Sequence, residues 1–250
     1  MSQITPHSGA IPRTAAVIPA AGQGLRLGGG TPKALRELGG TPILVHAVRA
    51  MACARSVSLV VVVAPADGVG KTRSLLEEHP PPPGVTQLVV PGGTTRQESV
   101  RLGLAALPED VEVVLVHDAA RPLVPVATVD AVVDAVRGGA PAVVPALPVT
   151  DTVKQIAPPA APGEPEPVVG TPDRALLRAV QTPQGFDHAT LAAAHAAHAA
   201  GDDATDCAGL VERQGVPVVL VPGHEEAFKI TRPLDLVLAE AVLARRRPAP

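Results

Sequence analysis

The chain has 250 residues, a formal net charge of −3 and a hydrophobic fraction of 46%. This length fits one α/β domain and allows a large buried core. Phe186 and Phe228 are its only aromatic residues, so alanine, valine, leucine and isoleucine must fill the core. Because the chain has almost no aromatic rings for bases to stack on, and no basic segment, the composition argues against a nucleic-acid partner.

The sequence favours a protein of the reducing cytosol without a membrane partner. We expect residues 1–12 to form a disordered tail, because they contain no apolar stretch typical of a secretion signal. The apolar run at 57–64 has the length of a strand and is too short to cross a bilayer. Cys53 and Cys207 stand alone, which predicts free thiols. We therefore expect a cytoplasmic location.

Six short runs rich in valine, alanine and leucine predict buried β-strands. The runs are continuously apolar rather than alternating, as strands covered on both faces of a sheet require. They lie at 15–21, 57–64, 85–90, 111–118, 140–146 and 216–222.

Segments with apolar residues at helical spacing lie between or after these strands. The last of them ends in three arginines, which are favourable at the C-terminus of a helix. Alternating strands and helices predict a doubly wound, mostly parallel sheet in a single domain over 13–250. The predicted helices cover 41–54, 95–107, 125–139 and 233–247.

The segment 148–174 departs from this pattern, because it is charged and rich in proline. It contains two short strand-like pieces around a polar tip. We interpret residues 149–174 as a protruding hairpin arm whose tip is stiffened by proline and poorly paired. The alternative is a solvent-exposed loop without a function.

A glycine-rich loop follows the first predicted strand, in the segment 16–35. Glycines let backbone amides surround a triphosphate, and Arg26 and Lys33 on the same loop can neutralise charge at the reacting phosphorus. The spacing is Gly-x-Gly-x-x-x-Gly, and no acidic residue follows at the distance typical of dinucleotide-binding folds. The loop therefore predicts phosphate binding and disfavours a Rossmann oxidoreductase.

A second candidate phosphate loop, at 65–72, is interpreted as a coincidence. Pro65 occupies the position at which a Walker loop needs glycine, and proline removes an amide from the phosphate cradle. We interpret Gly70, Lys71 and Thr72 as a turn and the start of a helix.

The segment 115–124 places His117, Asp118 and Arg121 just beyond an apolar strand. Ligands of open α/β sheets bind at this carboxyl edge. An aspartate there can hold a metal ion or a hydroxyl group, and an arginine can bind a phosphate. The alternative is an aspartate that caps the next turn beside a surface arginine. His117 is expected to be structural rather than a general base.

Two further segments carry polar residues that allow more than one interpretation. Arg96 and Ser99 follow a Gly-Gly turn, where they can contact a ligand or cap a helix. Lys229 lies in a strand-like run and would ordinarily be a solvated surface charge. His195 and His198 share one helix face, but no acidic partner is near them in sequence, so a metal site is not expected there.

These motifs together resemble the 2-C-methyl-D-erythritol 4-phosphate cytidylyltransferase family. The resemblance rests on AAGQGLRLGG–TPK, GGTTRQESV, HDAARP, TDTVK, DRALLRAVQTPQGF, ATD and FKITRPLDL, which occur in the family's order from about Thr14 to Arg247. It implies a fold of the nucleotide-diphospho-sugar transferase type. The glycine-rich loop alone is shared by many sugar nucleotidyltransferases, whereas the whole set is specific.

The resemblance also implies roles for individual residues, and these are grouped by ligand. Four residues are implied in catalysis: Arg26, Lys33, Arg174 and Lys229. CTP is implied to contact Ala20, Ala21, Gly22, Gly92, Gly93, Ser99, Asp118 and Lys229. The alcohol phosphate is implied to contact Asp118, Arg121, Thr152, Arg174 and Thr182.

Two positions depart from the family pattern. Thr94 stands where relatives often have an acidic residue near the base, so the contacts to cytosine cannot be carried over from the family. Cys207 follows Thr205–Asp206 where a second acidic residue is common.

The implied activity is transfer of CMP from CTP to 2-C-methyl-D-erythritol 4-phosphate in the non-mevalonate pathway. A substrate phosphate oxygen attacks the α-phosphorus in line and pyrophosphate leaves. The resemblance implies Mg²⁺ or another divalent cation, held mainly by the CTP phosphates with Asp118 as a candidate ligand. It further implies a homodimer formed through the arm, in which Thr152 and Arg174 reach the partner's site. The alternatives are another substrate, such as ribitol 5-phosphate, or a non-catalytic nucleotide-binding regulator.

Overall fold

A mixed eight-stranded sheet forms the centre of the computed structural model, which describes residues 13–22, 32–158, 163–198 and 205–246. The strands of this sheet are β1 (Arg13–Pro19), β4 (Val57–Ala64), β5 (Thr86–Pro91), β6 (Val111–Val116), β7 (Ala142–Pro148), β10 (Arg178–Val180), β11 (Gln184–Asp187) and β12 (Val219–Pro222). They follow the order β10-β7-β11-β6-β1-β4-β5, and β12 pairs with β7.

The sheet is mostly parallel, as the sequence predicts. Strand β1 pairs in parallel with both β4 and β6, β5 extends the sheet from β4, and β12 runs parallel to β7. The exceptions are β10 and β11, which are antiparallel to their neighbours and belong to segments for which the sequence predicted no strand. All six predicted strands are present.

Seven α-helices lie within the described residues. The four helices predicted from the sequence are present, and so are the helix start expected at 70–72 and a helix that carries His195, with His198 as its C-cap. The helix Cys207–Arg213 was not predicted. The helices are α1 (Ile43–Ala52), α2 (Val69–Glu77), α3 (Arg96–Leu104), α4 (Val126–Arg137), α5 (His188–Ala197), α6 (Cys207–Arg213) and α7 (Pro233–Arg246).

Both faces of the sheet are buried, which explains why its strands are apolar without alternation. Along β1, Ala16 and Ile18 face the core under α1, α2 and α4, whereas Ala15 and Val17 face the core under α3, α5 and α6. Helix α7 closes a smaller third cluster that includes Ile230. Because side chains of a strand point alternately to opposite faces, the buried residues of β1, from Thr14 to Ile18, must be apolar or small.

A glycine in α3 brings this helix unusually close to the sheet. A Cβ at Gly103 would lie 2.5 Å from Val17 Cγ1 and 2.9 Å from Val63 Cγ2. No side chain fits at such distances, so glycine is required for this approach. The close packing sets the distance of α3 from β1 and β4 near the C-terminal end of the helix.

The predicted arm contains a short antiparallel pair, β8 (Gln155–Ile156) and β9 (Val168–Gly170). Residues 159–162, at its tip, lie outside the described residues. Both strands are largely exposed, and Val168 and Val169 have exposed fractions of 57% and 60%. A second short pair, β2 (Glu37–Leu38) with β3 (Thr41–Pro42), precedes α1.

The predicted tail at 1–12 also lies outside the described residues, as does Arg247 at the end of the last predicted helix. Among the helices that are described, none combines the length and the apolar character needed to span a membrane.

Candidate active site

A cavity of about 240 Å³ opens at the carboxyl edge of the sheet, where β1, β4 and β6 end side by side. The backbone continues the sheet contacts past the strands: Ala20 N donates to Val63 O at 2.8 Å, and His117 N donates to Val17 O at 2.9 Å. Eight of the residues implied in catalysis or binding line this cavity. They are Ala20, Ala21, Gly22, Lys33, Gly93, Ser99, Asp118 and Lys229.

The turn after β1 forms one wall of the cavity. Ala20 is buried at the end of the strand, Ala21 is half-buried and Gly22 is exposed. A Cβ at Gly22 would have no neighbour within 4 Å among the residues that the structure describes. The loop continues into residues 23–31, and Arg26 therefore lies outside the described residues. The described chain resumes at Pro32, and Lys33 opens a short 3-10 helix, Lys33–Leu35, that lines the cavity.

A second wall is formed by the turn between β5 and α3. Gly92 N donates to Ala64 O at 2.7 Å, and Gly93 N donates to Ser99 Oγ at 3.2 Å. Ser99 Oγ in turn donates to Thr95 O at 2.9 Å. Ser99 is 2% exposed, so its hydroxyl holds the turn in place and presents the backbone of the turn to the cavity.

Gly92 does not line the cavity itself, but its small size allows two walls to meet. A Cβ there would lie 2.9 Å from Ala21 Cβ and 3.1 Å from Ala64 O. The turn is completed by Thr95, whose side chain accepts from Glu98 N and caps α3. The N-cap role considered for Arg96 and Ser99 therefore belongs to Thr95.

Asp118 is the only carboxylate among the described residues that line the cavity. Its Oδ2 accepts from Lys229 Nζ at 2.8 Å, and its Oδ1 accepts from Arg96 Nε and Nη2 at 3.3 and 3.2 Å. Burial alone would raise the pKa of Asp118, but the two cations outweigh burial and hold that pKa well below its usual range. Asp118 is therefore ionised at neutral pH.

Lys229 corrects one expectation from the sequence. It does not lie in a strand, but in an extended stretch between the 3-10 helix Glu225–Ala227 and α7. The next residue joins this stretch to the loop after β6, because Ile230 N donates to Ala120 O at 2.9 Å. The lysine is consequently directed at Asp118 and is a member of the site rather than a solvated surface charge.

His117 and Thr182 lie beneath Asp118 and fix its backbone. Thr182 Oγ1 accepts from Asp118 N at 3.0 Å and lies 3.0 Å from His117 Nδ1. On the other side of the ring, His117 Nε2 lies 3.1 Å from Arg121 O. Burial lowers the pKa of His117 to about 4, so the ring is neutral at pH 7. A neutral ring satisfies both contacts if Nε2 carries the proton and Nδ1 accepts from Thr182. His117 is thus positioned as a structural residue.

Two residues beside this network, Thr182 and Arg121, are implied to bind the alcohol phosphate. Their side chains mainly contact other parts of the protein. Thr182 is 4% exposed and does not line the cavity. Arg121 Nη1 donates to Ala227 O at 2.7 Å, and Arg121 Nη2 donates to Val180 O at 3.3 Å. In this structure both side chains tie the loop after β6 to neighbouring segments.

Thr152 and Arg174 lie on or beside the arm and do not line the cavity of their own chain. Both are exposed. Arg174 Nη1 donates to Thr150 O, at 2.6 Å, which connects the two ends of the arm.

Arg96 is the site residue to which sequence reasoning assigned no firm role. It is the first residue of α3, and its guanidinium lines the cavity and pairs with Asp118. The signal available in the sequence was its place at a helix start after a Gly-Gly turn. Its partner is 22 residues away in sequence, on a different strand end, so the ion pair could not be read from spacing.

The described residues do not fit a magnesium site built from protein side chains. Within the ranges that the structure describes, no group of three or more His, Cys, Asp or Glu side chains could hold a metal ion. Both oxygens of Asp118 already accept hydrogen bonds from cations. His195 and His198 do not belong to any such group either.

A mostly parallel sheet with a small-residue turn and cationic side chains at its carboxyl edge defines an α/β protein of the nucleotidyltransferase type. Comparison with known proteins identifies the family within this class. The family model for 2-C-methyl-D-erythritol 4-phosphate cytidylyltransferase (IspD) matches residues 14–245. The chain belongs to this family.

Individual relatives agree with the family assignment. A Streptomyces coelicolor protein named 2-C-methyl-D-erythritol 4-phosphate cytidylyltransferase is 73% identical over 235 residues, covering 94% of this chain and 86% of that protein. A crystal structure with the same name from Thermus thermophilus is 40% identical with a TM-score of 0.71, covering 93% of this chain and 99% of the other. The 4-diphosphocytidyl-2C-methyl-D-erythritol synthase structure from Anaerococcus prevotii is 29% identical with a TM-score of 0.78, covering 93% and 96%.

Proposed function

We propose that this protein transfers CMP from CTP to 2-C-methyl-D-erythritol 4-phosphate, producing the CDP-alcohol and pyrophosphate for non-mevalonate isoprenoid synthesis. The names of the relatives support the reaction and the substrates. The observation that carries the proposal is the arrangement of charges in the cavity. Lys33, Arg96 and Lys229 all line it around the single carboxylate Asp118, as far as the described residues extend.

The reaction needs no covalent enzyme intermediate, because the substrate phosphate is already a nucleophile. Its oxygen attacks the α-phosphorus of CTP, a new P–O bond forms, and the bond to the β-phosphate breaks to release pyrophosphate. Catalysis then depends on holding the two phosphates in line and on neutralising the charge that develops at the α-phosphorus. We assign the second task to Lys33 and Arg26.

Asp118 and Lys229 serve the positioning task. The Lys229 ammonium can keep one contact with Asp118 Oδ2 and direct its remaining protons at a phosphate, because an ammonium has three donors. Asp118 can accept from a hydroxyl of the alcohol or of the ribose. The amides of Ala20, Ala21 and Gly22, and the turn at Gly92 and Gly93, would enclose CTP on either side.

We propose that the divalent cation, Mg²⁺ or another, enters bound to the CTP phosphates. A magnesium ion commonly keeps several waters and is held mainly by substrate phosphates, with few protein ligands. This fits a cavity whose only carboxylate among the described lining residues is committed to Arg96 and Lys229.

We also propose a homodimer formed through the arm, in which Thr152 and Arg174 complete the partner's site. Two observations support it. Neither residue lines the cavity of its own chain. The arm and its surroundings expose large apolar side chains, including Val168, Val169 and Leu176, which is 83% exposed. Exposed apolar groups of this kind mark interaction surfaces.

The free thiols of Cys53 and Cys207 are compatible with the cytoplasmic location that we propose.

A pyrophosphate-release assay tests the reaction. We expect release only with CTP, a divalent cation and 2-C-methyl-D-erythritol 4-phosphate together, and no release after chelation by EDTA. Ribitol 5-phosphate and other polyol phosphates serve as controls for the alcohol, and ATP, GTP and UTP for the base. Faster turnover with ribitol 5-phosphate would contradict the substrate assignment, and binding of CTP without release under any condition would indicate a regulator.

A further inference from the structure

The Arg96 guanidinium is held between two groups of different chemistry. One edge donates to Asp118 Oδ1, through Nε and Nη2, and Nη1 donates to Cys207 Sγ at 3.7 Å. A guanidinium is planar and rigid, so contacts on two edges fix the orientation of its plane. Arg96 lines the cavity, whereas Cys207 is 1% exposed and lies behind it.

Cys207 is itself held firmly. It is the first residue of α6, which is capped by Asp206: Asp206 Oδ1 accepts from Gly209 N at 2.8 Å, and Oδ2 accepts from Gln184 Nε2 at 2.6 Å. On the far side of the sulfur, His195 Nε2 lies 3.8 Å away. His195 is 2% exposed, and its Nδ1 has no hydrogen-bond partner among the described residues, so the polar contact of this ring is made through Nε2 with Cys207.

The thiol orients Arg96 without neutralising it. Burial raises the pKa of Cys207, and the nearby Arg96 charge does not reverse that shift, so the group remains an uncharged thiol. An uncharged acceptor can hold one N–H of the guanidinium while the positive charge stays available to Asp118.

We propose that Cys207 is a positioning residue for the transfer reaction, which holds Arg96 in the orientation that fixes Asp118 beside Lys229. The inference rests on the proposed function, because that function gives Asp118 its place between nucleotide and alcohol. If it is correct, α5 and α6, two helices that do not line the cavity, help to hold Arg96 in place through His195 and Cys207.

Comparison of two substitutions separates positioning from simple packing. Cys207→Ala removes the acceptor, and Cys207→Ser restores an acceptor of similar size. If Cys207 only packs, the serine variant should be no better than the alanine variant, because it buries a hydroxyl. If Cys207 positions Arg96, the serine variant should recover most of the activity that the alanine variant loses.

The kinetic expectation concerns kcat. We expect Cys207→Ala to reduce kcat by about tenfold, as the loss of one hydrogen bond to a charged group does, with little change in KM for CTP. Cys207→Ser should recover to within about threefold of the wild type. Cys53→Ala, which removes the exposed cysteine, is the matched control and should leave kcat unchanged.

A second readout does not depend on turnover. The Nε–Hε signal of Arg96 in an NMR spectrum of ¹⁵N-labelled wild-type protein, assigned with Arg96→Lys, should be resolved and exchange slowly because the guanidinium is held. It should disappear or broaden in Cys207→Ala and persist in Cys207→Ser. If the wild type releases no pyrophosphate, the proposed function fails while this measurement still tests the contact.

Three results would overturn the proposal. One is an Arg96 signal that is absent from the wild type. Another is a signal and a kcat unaffected by Cys207→Ala. The last is a serine variant that is no better than alanine. If Cys207→Ala does not fold, Cys207→Val, which fills the volume without an acceptor, takes its place in both comparisons.

Discussion

At the scale of single residues, the role proposed for Lys33 at the transferred phosphate can be tested by substitution. Lys33 lines the cavity from the 3-10 helix Lys33–Leu35, as does the turn at Gly93. The charge that it opposes develops mainly in the transition state. Lys33→Ala should therefore lower kcat by about 100-fold or more and raise KM for CTP much less. Steady-state kinetics with both substrates measures this.

Lys71→Ala is the matched control for that substitution. Lys71 lies on α2 within the Walker-like segment, is exposed and does not line the cavity. Its removal should leave kcat and KM nearly unchanged. A Lys33→Ala protein that kept kcat and lost only affinity for CTP would make Lys33 a binding group instead.

The buried histidines make stability depend on pH. Burial lowers the pKa of both His117 and His195 to about 4 from an ordinary value of 6.5. Between these values the unfolded chain binds protons that the folded chain excludes, so the free energy of unfolding should fall as pH decreases from 6.5 to 4. Each histidine should contribute a loss of about 1–2 kcal/mol between about pH 7 and pH 5.

Urea unfolding followed by far-ultraviolet circular dichroism, at one fixed protein concentration, measures this dependence. The lowered pKa of Asp118 acts in the same direction but at lower pH, below the ordinary carboxyl range, so it does not account for a loss above about pH 5. His117→Gln, which replaces the ring with a neutral amide, should show a shallower slope. An equally steep slope in that variant would assign the loss to other groups.

Much of the site could be predicted at this scale, for a physical reason. Ala20, Gly93 and Asp118 follow the ends of three parallel strands of one sheet, and the carboxyl ends of parallel strands meet at one edge. The partners of long side chains could not be predicted in the same way. Arg121 bonds to the backbone of Ala227, a partner 106 residues away that only the assembled fold brings near it.

At the scale of elements, the close packing of α3 on the sheet controls where the cavity wall stands. Gly103→Ala would place a methyl group 2.5 Å from Val17 Cγ1, so the helix or the valine side chains beneath it must shift. We expect a loss of about 1–3 kcal/mol in the free energy of unfolding, as for other overpacked sites. Because Arg96 begins the same helix, kcat should also fall.

Gly70→Ala is the control for this substitution. Gly70 is also helical, in α2, but a Cβ there would have no neighbour within 4 Å. The change should be neutral or stabilise the protein by up to about 1 kcal/mol, because alanine favours helices. Equal effects of the two substitutions on stability and kcat would show that the approach of α3 is not what matters.

The elements themselves were predictable where their hydrophobic pattern was strong. The apolar runs of β1 and β4 and the amphipathic pattern of α4 led to correct assignments. β10 and β11 are three and four residues long, and their place in the sheet depends on antiparallel contacts with strands that are distant in sequence. Such pairing depends on the assembled sheet, so no local sequence pattern predicted these two strands.

At the scale of the whole molecule, the proposed exchange of Arg174 between subunits can be tested by complementation. Lys33→Ala and Arg174→Ala are each expected to be inactive alone. After unfolding together and refolding, about half of the dimers should be mixed, and one site in each mixed dimer would keep both residues. Activity should therefore recover to about a quarter of the wild-type value if the sites act independently.

Each variant refolded alone is the control for this experiment, because it shows the activity that remains without mixing. If Arg174 serves its own subunit, every site in the mixture still lacks one residue. The mixture would then stay as inactive as its parents, whatever its oligomeric state by gel filtration.

The two ion pairs of Asp118 have a consequence for selectivity among the anions of the cell. A cluster of cations with no counter-charge would attract inorganic phosphate and sulfate, which are abundant and resemble part of the substrate. Here the carboxylate of Asp118 already pairs with Lys229 and Arg96, so it acts as an internal competitor. A single small anion would therefore meet less net positive charge here than at the same cations without the carboxylate. A ligand with several phosphates can reach Lys33, Arg96 and Lys229 together, so we expect the pairing to disfavour phosphate and sulfate more than CTP.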